Sequence, residues 1–133
     1  MLLLNIIFLA LIIFLIWLIR HYYLLIRCKQ SGSIIEEKEF QSGLHKAQVI
    51  DLREKKDFDA GHILGARNLP YSMLRQRYKE LRSDLPIYLY DETKVLSMHA
   101  AIFLHKKGYP KENIFILKTG YSQWDGKVKS KNA

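Results

Sequence analysis

Two short groups of charged side chains stand where apolar runs end. Asp51 and Arg53 close the run Gln48 to Leu52, and Asp91, Glu92 and Lys94 follow the run Ile87 to Tyr90. In sheets of alternating strands and helices, functional crevices open beyond the carboxyl ends of the strands, so these groups are the first candidates for a site. An aspartate there has two chemical uses. It can accept hydrogen bonds from backbone N–H groups, or attack phosphorus, which usually wants a second carboxylate to hold Mg²⁺. Glu92 is the single loop candidate for that second group, so the hydrogen-bonding role is the expectation. Asp51 and Arg53 are read as an internal polar pair with a structural role. His99 and His105 are six apart and do not share a helix face as an i, i+4 metal pair would, and His45 stands alone. Cys28 is the only cysteine, which excludes an intrachain disulfide and a Cys-rich zinc site. It is read as an incidental thiol at a membrane boundary, and no cofactor or metal is expected.

The order of the motifs carries more. Val49 to Pro70 reads VIDLREKKDFDAGHILGARNLP, Ile87 to Ser97 reads IYLYDETKVLS, and Thr119 to Trp124 reads TGYSQW. These stretches resemble the rhodanese family of sulfurtransferases. Its domains carry Asp-x-Arg at the end of one strand, here Asp51 and Arg53, and a Gly-His-Ile-x-Gly-Ala turn, here Gly61, His62, Gly65 and Ala66. Gly120 and Trp124 match the family's G-G-x-x-x-W ending, with Thr119 in place of its first glycine and Trp124 expected in core packing. By the same resemblance His62 stabilises its turn.

The family's second stretch is a strand followed by C-x-x-G-x-R and then Ser or Thr opening a helix. This chain supplies Asp91, Lys94 and Leu96 for the Cys, Gly and Arg, and keeps Ser97. Sulfur transfer needs a thiolate that attacks a sulfane sulfur and holds it as a persulfide, favoured by converging N–H groups and a helix dipole. A carboxylate cannot carry that sulfur and repels anionic donors. Lys94 is a flexible point charge, and Leu96 contributes none. The loop Asp91, Glu92, Thr93, Lys94, Val95, Leu96 and Ser97 is thus expected to be catalytically degenerate. Asp91 itself is expected in the anion position, bonded to the loop or to the start of the Ser97 helix.

The elements that must position these residues alternate. Ile35 to Gln41 reads as a short helix, Gln48 to Leu52 as a strand, Lys55 to Ala60 as a helical turn or two, and Ile63 to Leu69 as a small strand interrupted by Gly65. Ser72 is placed as the N-cap of a helix to about Arg82. Ile87 to Tyr90 is a strand, Leu96 to Lys107 the strongest helix, Ile114 to Leu117 a third strand, and Trp124 closes a last helical turn. This alternation points to an α/β domain with a mostly parallel central sheet flanked by helices, which is also what the rhodanese resemblance implies.

Ahead of the domain, Leu2 to Ile19 contains no charge and one polar side chain, Asn5. Those residues span roughly 27 Å as a helix, close to the ~30 Å hydrocarbon core. A cleaved signal peptide fits poorly, because no Lys or Arg precedes the apolar run and no small-x-small pattern follows it. The expected organisation is one transmembrane helix with its interface over residues 2–26, a juxtamembrane linker 27–33 with Gln30 to Ser33 flexible, a rhodanese-like domain 34–128, and a basic tail 129–133. Arg20, Arg27 and Lys29 flank the C-terminal side of the span, so a single-pass protein with a cytoplasmic domain is expected. The net charge of +8 is assigned partly to contacts with an anionic leaflet. Acidic residues interspersed through the domain argue against nucleic acid. The resemblance extends to membrane-anchored single-domain bacterial proteins. The function expected is a catalytically inactive module that binds an unnamed protein partner. The alternative is a sulfurtransferase relying on a partner thiol.

Overall fold

The computed structural model describes residues 1–131. In chain order the elements are α1 (Leu2–Ser31), β1 (Ser33–Ile35), α2 (Glu37–Gly43), β2 (Gln48–Asp51), α3 (Lys55–Ala60), β3 (His62–Ile63), β4 (Arg67–Asn68), α4 (Leu74–Arg77), β5 (Ile87–Tyr90), α5 (Val95–Lys106), β6 (Ile114–Leu117) and β7 (Val128–Lys129). The fold is the α/β domain with a mostly parallel central sheet flanked by helices anticipated above. A five-stranded sheet runs in the order β1-β6-β5-β2-β4, with every neighbouring pair parallel. Strands β3 and β7 form a separate antiparallel ribbon.

Successive side chains of a strand point to opposite faces, and both faces of this sheet are covered. Ile50, Ile87, Leu89, Ile114 and Ile116 face one core, where they meet Leu74, Met98, Ala100, Ala101 and Leu104. Val49, Tyr88, Tyr90 and Leu117 face the other, with Phe40 of α2. The central strand β5 is therefore buried at all four positions, and its apolar run cannot alternate with polar residues.

The first departure from expectation lies at the junction with α1. Gln30 and Ser31, read as part of a flexible connector, continue the helix, which is unbroken over 30 residues. Cys28 and Ser31 are buried, and Leu24 and Leu25 pack on the same core. These residues recur at helical spacing and form one face that fits against α5, where Ala100 and Ala101 leave room for close approach. Gly32 then permits the exit, because a Cβ at that position would lie 2.8 Å from the Ile114 carbonyl oxygen. The chain continues as β1, an edge strand missed in the sequence because three residues carry too little pattern to register. A chain starting at Gly32 is accordingly expected to lose about 3 kcal/mol of stability relative to one starting at Tyr22. Chemical denaturation of the two would show it; equal midpoints would mean that α1 is only a tether.

The helix expected from Ser72 to Arg82 does not form as one piece. It is broken into a 3₁₀ turn at Tyr71–Met73, the single turn α4, and another 3₁₀ turn at Tyr78–Glu80. The Tyr109 hydroxyl bonds the carbonyls of Tyr78 and Leu81 at 2.8 and 2.7 Å, and the Gln48 side chain takes up both the N–H and the carbonyl of Arg82. Backbone groups that would continue a helix thus find distant partners. Ser72 does not cap; its hydroxyl donates to Glu54 at 2.9 Å. Of the basic tail, Lys129 pairs in β7 and the Lys131 N–H donates to the Asp59 carbonyl, while residues 132–133 lie outside the described residues.

Candidate functional site

Adjacent parallel strands β2 and β5 deliver the two charged groups to one edge, with Asp51 opposite Tyr90 in register. Beyond Tyr90 the chain turns through Asp91 to Lys94 into α5. Asp91 is only 3% exposed, and its carboxylate faces the front of that helix. Oδ1 accepts from the Ser97 hydroxyl at 2.6 Å and from the Ser97 N–H at 3.4 Å; Oδ2 accepts from the Leu96 N–H at 3.2 Å. Backbone donors of the first turn have no partner inside the helix, so a fixed negative charge here both satisfies them and opposes the positive end of the dipole. Asp91→Ala should therefore cost about 1–2 kcal/mol, with Asp91→Asn retaining part of it. An Asp91→Ala protein as stable as the parent in urea would remove the capping account.

The loop is held from its other side by the turn after β6. The N–H groups of Tyr121 and Ser122 donate to the carbonyls of Asp91 and Glu92 at 2.9 and 3.1 Å. Gly120 makes that approach possible: its φ is +69°, and a Cβ there would collide with the carbonyl oxygens of Glu92 and Thr93. The TGYSQW ending thus acts on the loop, while Trp124 packs edge-on against Phe40 with ring centres 5.9 Å apart.

Arg53 is fully engaged. Its guanidinium donates to Asp51 at 2.8 to 3.2 Å, to the Gly61 carbonyl at 2.6 Å and to Glu92 at 3.3 Å, and it lies 4.1 Å from the Tyr121 ring centre. Burial works against its charge, but the hydrogen bonds and the charge of Asp51 outweigh burial and hold the guanidinium above its ordinary pKa. Burial, reinforced by Asp51, likewise pushes the Tyr90 phenol up, and its oxygen accepts from the Ile63 N–H at 3.1 Å. His62 stacks on Phe58 at 3.7 Å and bonds the Phe58 carbonyl through Nδ1 at 2.7 Å, a turn-holding arrangement. Gly65, at φ +91°, and Ala66 complete that turn. His45 lies elsewhere on the exposed surface, His99 is exposed on α5 with its ring centre 6.5 Å from that of Tyr71, and His105 is near Tyr109 at the far end of α5.

A cavity of about 590 Å³ opens over this edge. Four carboxylates line it, Glu54, Asp57, Asp91 and Glu92, together with Arg53, Leu52 and Leu96. Because the one cation is already committed to Asp51 and Glu92, the mouth is electronegative and suits a positively charged ligand. Sequence reading missed Glu54, Asp57, Tyr71, Ser72 and Tyr121 as neighbours of the site. Only Glu54 and Asp57 left a signal, since Glu54 follows Arg53 directly and Asp57 lies in the first turn of α3. The sole thiol is elsewhere: Cys28 is fully buried under α5, where desolvation pushes it up to about 11 against the opposing pull of Lys94.

The geometry is that of a parallel-sheet domain whose site is a loop wrapped around the front of a helix. The chain matches the model of the rhodanese-like domain over residues 36–127, and it belongs to that family. It is 50% identical over 97 residues to the Bacillus subtilis protein "Uncharacterized protein YqhL", covering 73% of this chain and 75% of that one. It is also 30% identical over 77 residues to a thiosulfate sulfurtransferase, GlpE, of Shewanella oneidensis, covering 58% and 74% of the two chains. Among solved structures, a rhodanese-related protein from Thermoplasma volcanium superposes with a TM-score of 0.67 at 25% identity, covering 73% of this chain and 97% of that one.

Proposed function

We propose that this chain is a catalytically silent rhodanese-like module, held at a cell membrane by α1 and acting by binding a protein partner at the crevice around Asp91. The observation that carries this reading is the buried Asp91 carboxylate, bonded to Ser97 and Leu96 where a sulfurtransferase of the family would hold its thiolate. A carboxylate oxygen is a poor nucleophile toward sulfur and forms no persulfide. Cys28 offers no substitute, because its thiol is buried and kept protonated. Helix α1 is long and apolar enough to cross a membrane. Arg20, Arg27 and Lys29 on its C-terminal side support a single pass with the domain in the cytoplasm.

The full chain in detergent is expected to form no thiocyanate from thiosulfate and cyanide above the buffer rate. A clear turnover dependent on the protein would overturn the silent reading. The second reading, a sulfurtransferase that borrows a partner's thiol, draws support from the likeness to the Shewanella thiosulfate sulfurtransferase. It requires turnover that appears only on adding a thiol protein.

A further inference from the structure

With α1 as the proposed membrane anchor, its path sets which side of the domain lies nearer the bilayer. Every strand of the main sheet points the same way, so its N-terminal edge, with Ile114, and its C-terminal edge, with Asp91, are opposite ends of the domain. Helix α5 starts at the Asp91 edge and runs back toward Ile114. Helix α1 ends at that same lower edge, where Gly32 abuts Ile114 and Ser33 pairs opposite Phe115. Its preceding turns, through Cys28, Leu25 and Leu24, lie along α5. Followed backward, α1 therefore climbs beside α5 toward the Asp91 edge and leaves the domain there.

No joint interrupts that climb, since α1 is one helix of 30 residues. A hydrocarbon core of about 30 Å takes up about 20 residues, which leaves about ten, or about 15 Å, from Tyr22 to Ser31. Helix α5, at 12 residues, is itself about 18 Å long. The front of α5 and the Asp91 loop thus come within about two helical turns of the hydrocarbon edge, at the depth of the headgroups. Exposed Tyr22 and Tyr23 suit that depth.

We infer that the crevice around Asp91 opens onto the bilayer surface and receives a positively charged segment flanking the membrane span of another protein. This rests on the proposed membrane anchoring and deepens the proposed binding role. A folded domain of about 100 residues, with a radius of gyration of about 13 Å, fits poorly into a separation of about two helical turns. Glu54, Asp57 and Glu92 at the mouth disfavour anionic headgroups and favour lysines and arginines, which cluster beside spans on the cytoplasmic side.

The test uses the full chain with Cys28→Ser and either Ser72→Cys, at the crevice, or Ser83→Cys, on the exposed turn before β5 at the opposite edge. Each variant is reconstituted into phosphatidylglycerol and phosphatidylethanolamine vesicles. A maleimide bearing a large polyethylene glycol should modify the Ser83→Cys protein in vesicles and in detergent. The Ser72→Cys protein should be modified only after detergent is added, although a small maleimide reaches both. Equal modification of both by the bulky reagent, in vesicles that retain the protein on flotation, would overturn the orientation. Failure to float with the vesicles would overturn the anchoring reading itself. For the occupant, a dye at position 72 should show energy transfer from a co-reconstituted single-span peptide with a lysine-rich flank, and none from the same peptide with a glutamate-rich flank. Equal transfer from both would reject the charge assignment.

Discussion

Asp91→Cys combined with Lys94→Gly and Leu96→Arg should give this chain thiosulfate-to-cyanide sulfur transfer at a rate at least about 100-fold above the unmodified protein. The fold around the loop already has what a thiolate needs. The N–H groups of Leu96 and Ser97 converge on the Asp91 side chain, the front of α5 supplies a positive dipole end, and the turn at Gly120 braces the loop from behind. A thiolate placed there would attack the outer sulfur of thiosulfate, release sulfite and hold the persulfide until cyanide takes it. Glycine at 94 gives the loop freedom to curl, and arginine at 96, now a leucine lining the cavity, adds a planar cation for the anionic donor. Asp91→Cys alone should give much less, since the donor would still meet the carboxylates of Glu54, Asp57 and Glu92 without an added cation. A triple variant that folds with unchanged secondary structure yet stays at the buffer rate would show that the loop exchange alone does not make this scaffold a sulfurtransferase.

Arg53→Ala should be the most damaging single substitution, costing about 3–5 kcal/mol. Asp51 has no exposure at all, and among the described residues Arg53 is its one charged partner, through both its N–H and its side chain. Removing the guanidinium leaves a buried carboxylate without its counterion and frees the Gly61 carbonyl and the face of Tyr121. The fall should be about 10 °C or more in melting temperature for a domain of this size. Arg53→Lys should recover only part of it, because an ammonium cannot serve Asp51, Gly61 and Glu92 in one plane. Thermal unfolding followed by Trp124 fluorescence measures both. A loss under about 2 °C for Arg53→Ala would mean that the pair is solvated and not the tie between β2, the Gly61 turn and the loop.

Much of this was legible in the chain itself. The apolar runs at Gln48, Ile87 and Ile114 and the long period of α5 named the strands and the main helix, because buried parallel strands and amphipathic helices leave distinct spacings. The Asp51–Arg53 pair and Asp91 stood out through the resemblance to the rhodanese motifs, with Asp91 at the position of that family's cysteine. What escaped was decided by distant contacts. Tyr109 and Gln48 break the helix expected from Ser72 to Arg82, and no local residue reports that.

The amino-acid order alone settled the kind of domain, the long apolar helix ahead of it and the identity of the side chain at the head of α5, since each is written in composition and spacing along neighbouring residues. Tertiary structure alone decided that Arg53 is consumed by Asp51, Gly61 and Glu92, that Glu54 and Asp57 join Asp91 and Glu92 around one cavity, and that the end of α1 belongs to the core. These depend on segments far apart in the chain meeting at one edge of a sheet. Such meetings depend on strand order and on how α1 packs against α5, and neither leaves a mark in local sequence.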